Sequence, residues 1–201
     1  MSMTLKERVP TPITGAGLAA LTVLVGGYFI KEFPHPYYLN FGAWAVFITW
    51  AGYFAAGGGG PGKSKEVFKK MYFPIFWGSI WGLVAGVAFY YFNPHLSNNW
   101  SLLVVDGIVI FLVNQPILWG SRYWGPLKYT PACFYGFATF FATYFGGFGI
   151  APTSAPYDVY IAWLCGLAMN FLGPIWGYLQ VYLSFPKKVE VPDTPTTTQT
   201  G

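Results

Sequence analysis

The chain has 201 residues, of which 54% are hydrophobic, 21% aromatic and only 9% charged, with a formal net charge of +4. Soluble domains carry roughly 25% charged residues because they need a solvated surface, so a water-soluble globule is excluded and the solvent is expected to be largely lipid. The eleven basic residues are scattered along an apolar chain and form no stripe that would bind nucleic acid.

A helix crosses a hydrocarbon core of about 30 Å with about 20 mostly apolar residues. Lipid offers no hydrogen-bond partners, so every crossing segment is predicted to be α-helical. Six stretches qualify, at 13–31, 38–57, 73–92, 101–121, 130–150 and 157–184. The prediction is an all-α polytopic membrane domain over 13–184, with a short cytoplasmic segment over 1–12 and a flexible cytoplasmic tail over 185–201. That tail ends in TPTTTQTG and has almost nothing to bury. Prolines punctuate the joints: Pro34 and Pro36, Pro61, Pro94, Pro126, and Pro152 with Pro156. The first segment is too long for a removed signal peptide and lacks a convincing cleavage site.

Basic residues set the orientation. Lys6 and Arg8 precede segment one, Lys63, Lys65, Lys69 and Lys70 lie between two and three, Arg122 and Lys128 between four and five, and Lys187 and Lys188 follow six. Only Lys31 falls on the other side, so the positive-inside rule predicts both termini to be cytoplasmic. Aromatic residues near segment ends, such as Tyr37, Tyr38, Trp100 and Trp119, suit the two membrane interfaces.

After segment two, residues 57–64 read GGGGPGKS, which matches the phosphate-loop pattern G-x-x-x-x-G-K-[ST], and residues 102–106 read LLVVD, like its magnesium-holding partner strand. The placement argues against a nucleotide. A phosphate loop follows a short buried strand, whereas this one follows a span, and Pro61 removes one backbone donor. Uncharged segment three separates Lys63 from Asp106 by roughly 20–30 Å across the bilayer. A basic loop near anionic lipid is the expected role.

Gly78, Gly82 and Gly86 recur every four residues on segment three, and Gly173 and Gly177 repeat the spacing on segment six. Such stripes are helix-packing surfaces, because small residues let helices approach closely. Either another helix of this chain or a second copy could fill them. FITWAGYFAAGGG (47–59) also aligns with FATFFATYFGGFG (137–149) at an offset of 90, pairing Phe47 with Phe137, Thr49 with Thr139, Gly57 with Gly147 and Gly59 with Gly149. This predicts two inverted three-helix halves, a design that places a solute path at the repeat interface; chance identity among common residues is the alternative.

Polar residues inside the membrane are the candidate solute-path positions: Asp106, Asn114 and Gln115 on segment four, Asn170 and Gln180 on segment six, and the repeat pair Thr49 and Thr139. Pro116 and Pro174 each free a carbonyl four residues earlier, those of Leu112 and Asn170. Helix-bridging hydrogen bonds are the structural alternative for these amides. Cys133 and Cys165 sit in apolar stretches and read as small buried hydrophobes. His35 and His95 fall in outer connections, Asn99-Trp100-Ser101 is a glycosylation sequon set against the membrane, and no H-E-x-x-H, Cys/His cluster or Ser–His–Asp set is present. No metal, cofactor, nucleotide or enzymatic activity is expected.

The run WAVFITWAGYFAAGGG followed by a basic loop, then PACFYGFATFFATYFG and IAWLCGLAMNFLG, resembles the domain-of-unknown-function 1097 family of bacterial inner-membrane proteins. Its positions here would be Trp44, Ala51, Tyr53, Phe54, Pro131, Phe134, Gly136 and Gly166. The resemblance implies a small multi-pass inner-membrane protein and brings no catalytic residues. The aromatic-rich helices are more loosely similar to six-helix urea and amide channels. Two functions are expected from these features: a channel or transporter for a small neutral or weakly charged solute, or a non-catalytic accessory subunit of a larger membrane assembly. The bilayer and either further copies of the chain or other membrane subunits are the expected partners.

Overall fold

A computed structural model describes residues 8–32, 42–60, 62–96, 98–146 and 157–185; the side chains at 26–32 and 157 lie outside the description. The described residues form six α-helices and no strand: α1 (Thr11–Glu32), α2 (Trp44–Tyr53), α3 (Ser64–Phe92), α4 (Asn99–Tyr123), α5 (Thr130–Phe145) and α6 (Tyr157–Ser184). A π-helical turn, Phe54–Gly58, extends α2, and 3-10 turns at Asn93–His95 and Gly125–Leu127 follow α3 and α4.

Among the described residues three helical stretches are long and apolar enough to cross a membrane: Ser64–His95, Asn99–Tyr123 and Asp158–Ser184. The 10 residues of α2 and the 5 of its π turn span about 22 Å, and the 16 residues of α5 about 24 Å. Residues 38–41 and 147–150 of the segments predicted there fall outside the described residues. So do His35, Pro61 and the predicted tail beyond Phe185.

The largest departure from expectation is at the start of α3. A connection was expected to run to about Met71, yet helix begins at Ser64, so Lys65, Lys69 and Lys70 lie exposed on its first two turns. Hydropathy reads the surroundings, whereas Lys and Glu are good helix formers wherever water is available. Glu66 also places a carboxylate in the first turn, where the helix dipole favours it. The glycine-rich string is a helix end followed by a turn. Gly57 (φ 97°) kinks the chain inside the π turn and Gly62 (φ 85°) re-aims it, both in the left-handed region that favours glycine. Helix precedes the string, so the strand that a phosphate loop requires is replaced.

Local chemistry explains other boundaries. The Asn98 side chain accepts a hydrogen bond from the Ser101 backbone N–H at 2.7 Å and caps α4. Pro131 enters α5 in its first turn, where a missing N–H costs nothing. Pro74, Pro116 and Pro174 are accommodated inside α3, α4 and α6.

Two helices organise the rest. α3 packs against α5, α4 and α6, while α6 packs against α2, α5, α3 and α1. α4 lies outside on α3 and α1 outside on α6. One buried cluster joins Ala85 and Phe89 of α3, Val109, Val113 and Ile117 of α4, and Cys133 and Phe137 of α5. Another joins Tyr53, Met71, Ile75, Ala132 and Val181. The start of α1 is tied to the end of α6, because the Arg8 N–H donates to the Ser184 carbonyl at 2.8 Å and the Thr14 and Ser184 hydroxyls are 2.7 Å apart.

Candidate functional site

The glycine stripes receive helices of this same chain. A methyl group added at Gly78 would lie 2.6 Å from the carbonyl carbon of Cys133 on α5, and one at Gly82 or Gly86 would meet the Phe140 ring. The contact is reciprocal, since a methyl at Gly136 of α5 would lie 2.9 Å from the Ser79 nitrogen of α3. On the other side of the molecule, Gly173 and Gly177 of α6 seat α2. A methyl at Gly173 would be 2.7 Å from both Val46 O and Trp50 N and nearer still to the Thr49 hydroxyl, and one at Gly177 would meet the Tyr53 ring. Backbone therefore touches backbone at both crossings, as membrane helices do when small residues line the contact.

This close approach brings three of the expected polar residues to one turn of α6. Asn170 is only 1% exposed, and its amide N–H donates to the Thr139 hydroxyl of α5. Thr139 in turn donates to the Tyr135 carbonyl at 2.6 Å. One turn along α6, Gly173 lies against Thr49, which donates to the Ala45 carbonyl at 3.2 Å. Thr49 and Thr139 are both fully buried, and both are the residues paired by the internal alignment. The Asn170 side-chain oxygen is buried without a hydrogen-bond partner. Pro174 follows within the same turn and removes the N–H that would cap the Asn170 carbonyl. The turn thus offers the unpartnered Asn170 side-chain oxygen in a wall of hydroxyls and glycine. Thr143 extends the polar strip by donating to the Thr139 carbonyl at 2.6 Å.

The other expected positions lie elsewhere. Gln180 is a strut between helices: it accepts from the Trp50 indole N–H at 2.9 Å and donates to the Thr11 carbonyl at 3.1 Å, tying α2, α6 and α1. Asn114 donates to the Ile110 carbonyl at 2.8 Å, and Gln115 donates to the Phe111 carbonyl while accepting from Trp119 at 3.2 Å, so both amides bond within α4. Asp106 on the same helix is half-buried, with one carboxylate oxygen enclosed and unpartnered. Among the described residues no hydrogen bond joins these α4 groups to Asn170.

Several contributors had weaker sequence signals. Tyr72 donates to the Phe171 carbonyl at 3.2 Å, just ahead of Pro174, and Trp163 donates to the Ser79 hydroxyl at 3.1 Å. Neither Tyr72 nor Trp163 stood out in the sequence, and only their partners reveal these uses. Gly136 stood in the run PACFYGFATFFATYFG without a packing role. Cys133 and Cys165 are free and buried, as expected. No group of three or more His, Cys, Asp or Glu side chains suited to a metal occurs among the described residues.

A family model described as "Protein of unknown function (DUF1097)" matches residues 13–184. Comparison with curated proteins and with solved structures returned no match.

Proposed function

This chain belongs to the DUF1097 family of proteins of unknown function, and we propose that it is a six-span membrane transporter for a small neutral or weakly charged solute, with its solute station on the central turn of α6. The observation that carries the proposal is the convergence of Thr49 and Thr139, mates in the sequence repeat, on Asn170 and Gly173. That turn falls midway along the helix Tyr157–Ser184, and repeat-built transporters bind near the bilayer midplane where two halves meet.

Helix contacts support a repeat that exchanges α1 with α4, α2 with α5 and α3 with α6. α2 lies on the glycine face of α6 as α5 lies on that of α3, and α1 flanks α6 as α4 flanks α3. An inverted pair of three-helix halves requires six crossings. The adjacency of Arg8 and Ser184 supports both termini on one side. The basic residues on that side make it the cytoplasm, and an inner-membrane location follows from the same bias. Near-complete burial of Asn170 favours gated access over a standing pore.

The test is stopped-flow light scattering on proteoliposomes with a panel of urea, short amides and small polyols. At least one solute should enter faster than into protein-free vesicles. Asn170→Ala should lower that rate by about tenfold, the scale of one or two lost hydrogen bonds to the solute. A panel with no accelerated solute, or a rate untouched in Asn170→Ala and Thr49→Val alike, rejects the proposal.

A second reading rests on α4. Leu103, Val104, Ile108, Phe111, Leu112 and Leu118 are exposed along it, and the enclosed oxygens of Asp106 and Asn114 have no partner. These features suit a helix that meets another subunit, either a second copy or a different membrane protein. Reproducible co-purification of another chain at fixed stoichiometry in mild detergent would favour this accessory role.

A further inference from the structure

We infer that the end of the molecule opposite the lysine-bearing start of α3 carries a binding site for a small organic ammonium ion. A cavity of about 540 Å³ lies there, lined by Phe89, Tyr90 and Tyr91 of α3, by Tyr144 and Phe145 of α5, and by the turn Asn93–His95. That volume suits a small ligand.

The shape of the wall is aromatic. Tyr90 and Tyr91 stand edge to face at 5.4 Å, the Tyr144 and Phe145 rings lie 5.1 Å apart, and Phe89 lies 6.4 Å from Phe145. Ring faces attract cations through their quadrupole, and several rings around one cavity make the cage that quaternary ammonium groups occupy. The charge of the wall has the same preference. α3 ends at Phe92 and α5 at Phe145, so the cavity is built on the last turn of two helices. Each C-terminus is the negative end of its helix dipole, equivalent to about half a negative charge. Asn93 adds a side-chain oxygen that is buried without a partner, and Asp158 at the start of α6 lies close enough to act electrostatically on Tyr144. No lysine or arginine lines the cavity among the described residues. An anion would meet unfavourable charge on both helix ends, whereas a cation meets favourable charge there and aromatic side chains around it.

The same ammonium chemistry comes from a soluble molecule such as choline or from the choline headgroup of a lipid. The site does not depend on transport and stands apart from the Asn170 turn, so failure of either leaves the other intact. Its test is calorimetric titration of the purified full chain in maltoside micelles with choline, against its uncharged isostere 3,3-dimethyl-1-butanol. Choline should bind about tenfold more tightly than the isostere. Asn93→Asp should tighten choline binding and Asn93→Lys should abolish it, while Tyr91→Leu, which keeps apolar area but removes a ring, should weaken it severalfold. Tyr91 is 59% exposed, so that variant should keep the fold. Repeating the titration in nanodiscs separates the sources: weaker apparent affinity in phosphatidylcholine than in phosphatidylglycerol marks the headgroup as a competing occupant, and equal affinity marks a soluble cation alone. Equal binding of choline and the isostere, absence of choline binding, or an Asn93→Asp variant no tighter than the parent overturns the inference.

Discussion

Gly78→Ala and Gly107→Ala are the same chemical change and should have opposite signs. At Gly78 the new methyl would sit 2.6 Å from the Cys133 carbonyl carbon and 2.9 Å from its Cα. Ordinary carbon–carbon contact is about 3.5–4.0 Å, and the Cys133 carbonyl oxygen lies nearer still, so α3 and α5 must separate by at least about 1 Å. The obstacle is backbone, which cannot rotate away as a side chain can. Overpacking costs about 1–3 kcal/mol, and a backbone clash belongs at the upper end. Replacing glycine by alanine in a helix returns about 1 kcal/mol, which leaves a net loss of about 2 kcal/mol. At Gly107 on α4 nothing lies within 4 Å of the added methyl, so only the gain of up to about 1 kcal/mol remains. Thermal unfolding in detergent, followed by circular dichroism, should show Gly78→Ala melting about 4–8 °C lower and Gly107→Ala unchanged or a few degrees higher. Equal shifts of the same sign would refute the claim that the glycine stripe is a backbone contact within this chain. Gly136→Ala meets the same interface from the α5 side, so the double variant Gly78→Ala/Gly136→Ala should lose less than the sum of the two.

Other outcomes follow from individual contacts. Asn170→Leu removes a residue whose oxygen is unpartnered while Thr139 keeps its bond to Tyr135, so stability should change by less than about 1 kcal/mol; a collapse of the fold would make the residue a structural strut. Trp50→Phe strips the indole donor from buried Gln180, which should cost about 1–3 kcal/mol in the same melting assay, and an unaltered melt would show that bond to be dispensable. Reporter tags fused at each terminus should both report the cytoplasm, and a tag in the 93–98 connection the opposite side; termini on different sides would exclude an even number of crossings. The buried thiols of Cys133 and Cys165 should resist maleimide in the folded protein and react on denaturation, and labelling of either under native conditions would contradict the packing of α5 and α6.

How much of this was legible beforehand depended on the kind of physics each feature obeys. Composition and segment length report the solvent, and lipid permits few backbone solutions, so the all-α class and the ends of α6 could be read from residues alone. The glycine spacing likewise announced smooth faces on α3 and α6. The same method misplaced the start of α3 because SKEVFKK is polar yet helical, and hydropathy is blind to a helix that continues into water. Asp106 headed the candidate positions because charge is rarest in lipid, but rarity measures cost and says nothing of neighbours. The residues that meet, Asn170, Thr139, Thr49 and Gly173, lie on three helices separated by up to 124 positions in the chain. A glycine face fits a second copy as well as it fits α5 or α2, since a missing side chain specifies only that something may come close. Which helix fills it depends on the simultaneous fit of all six, a many-body condition that no local pattern encodes. That fit brought two glycine stripes and three polar side chains from separate helices together at the centre of α6.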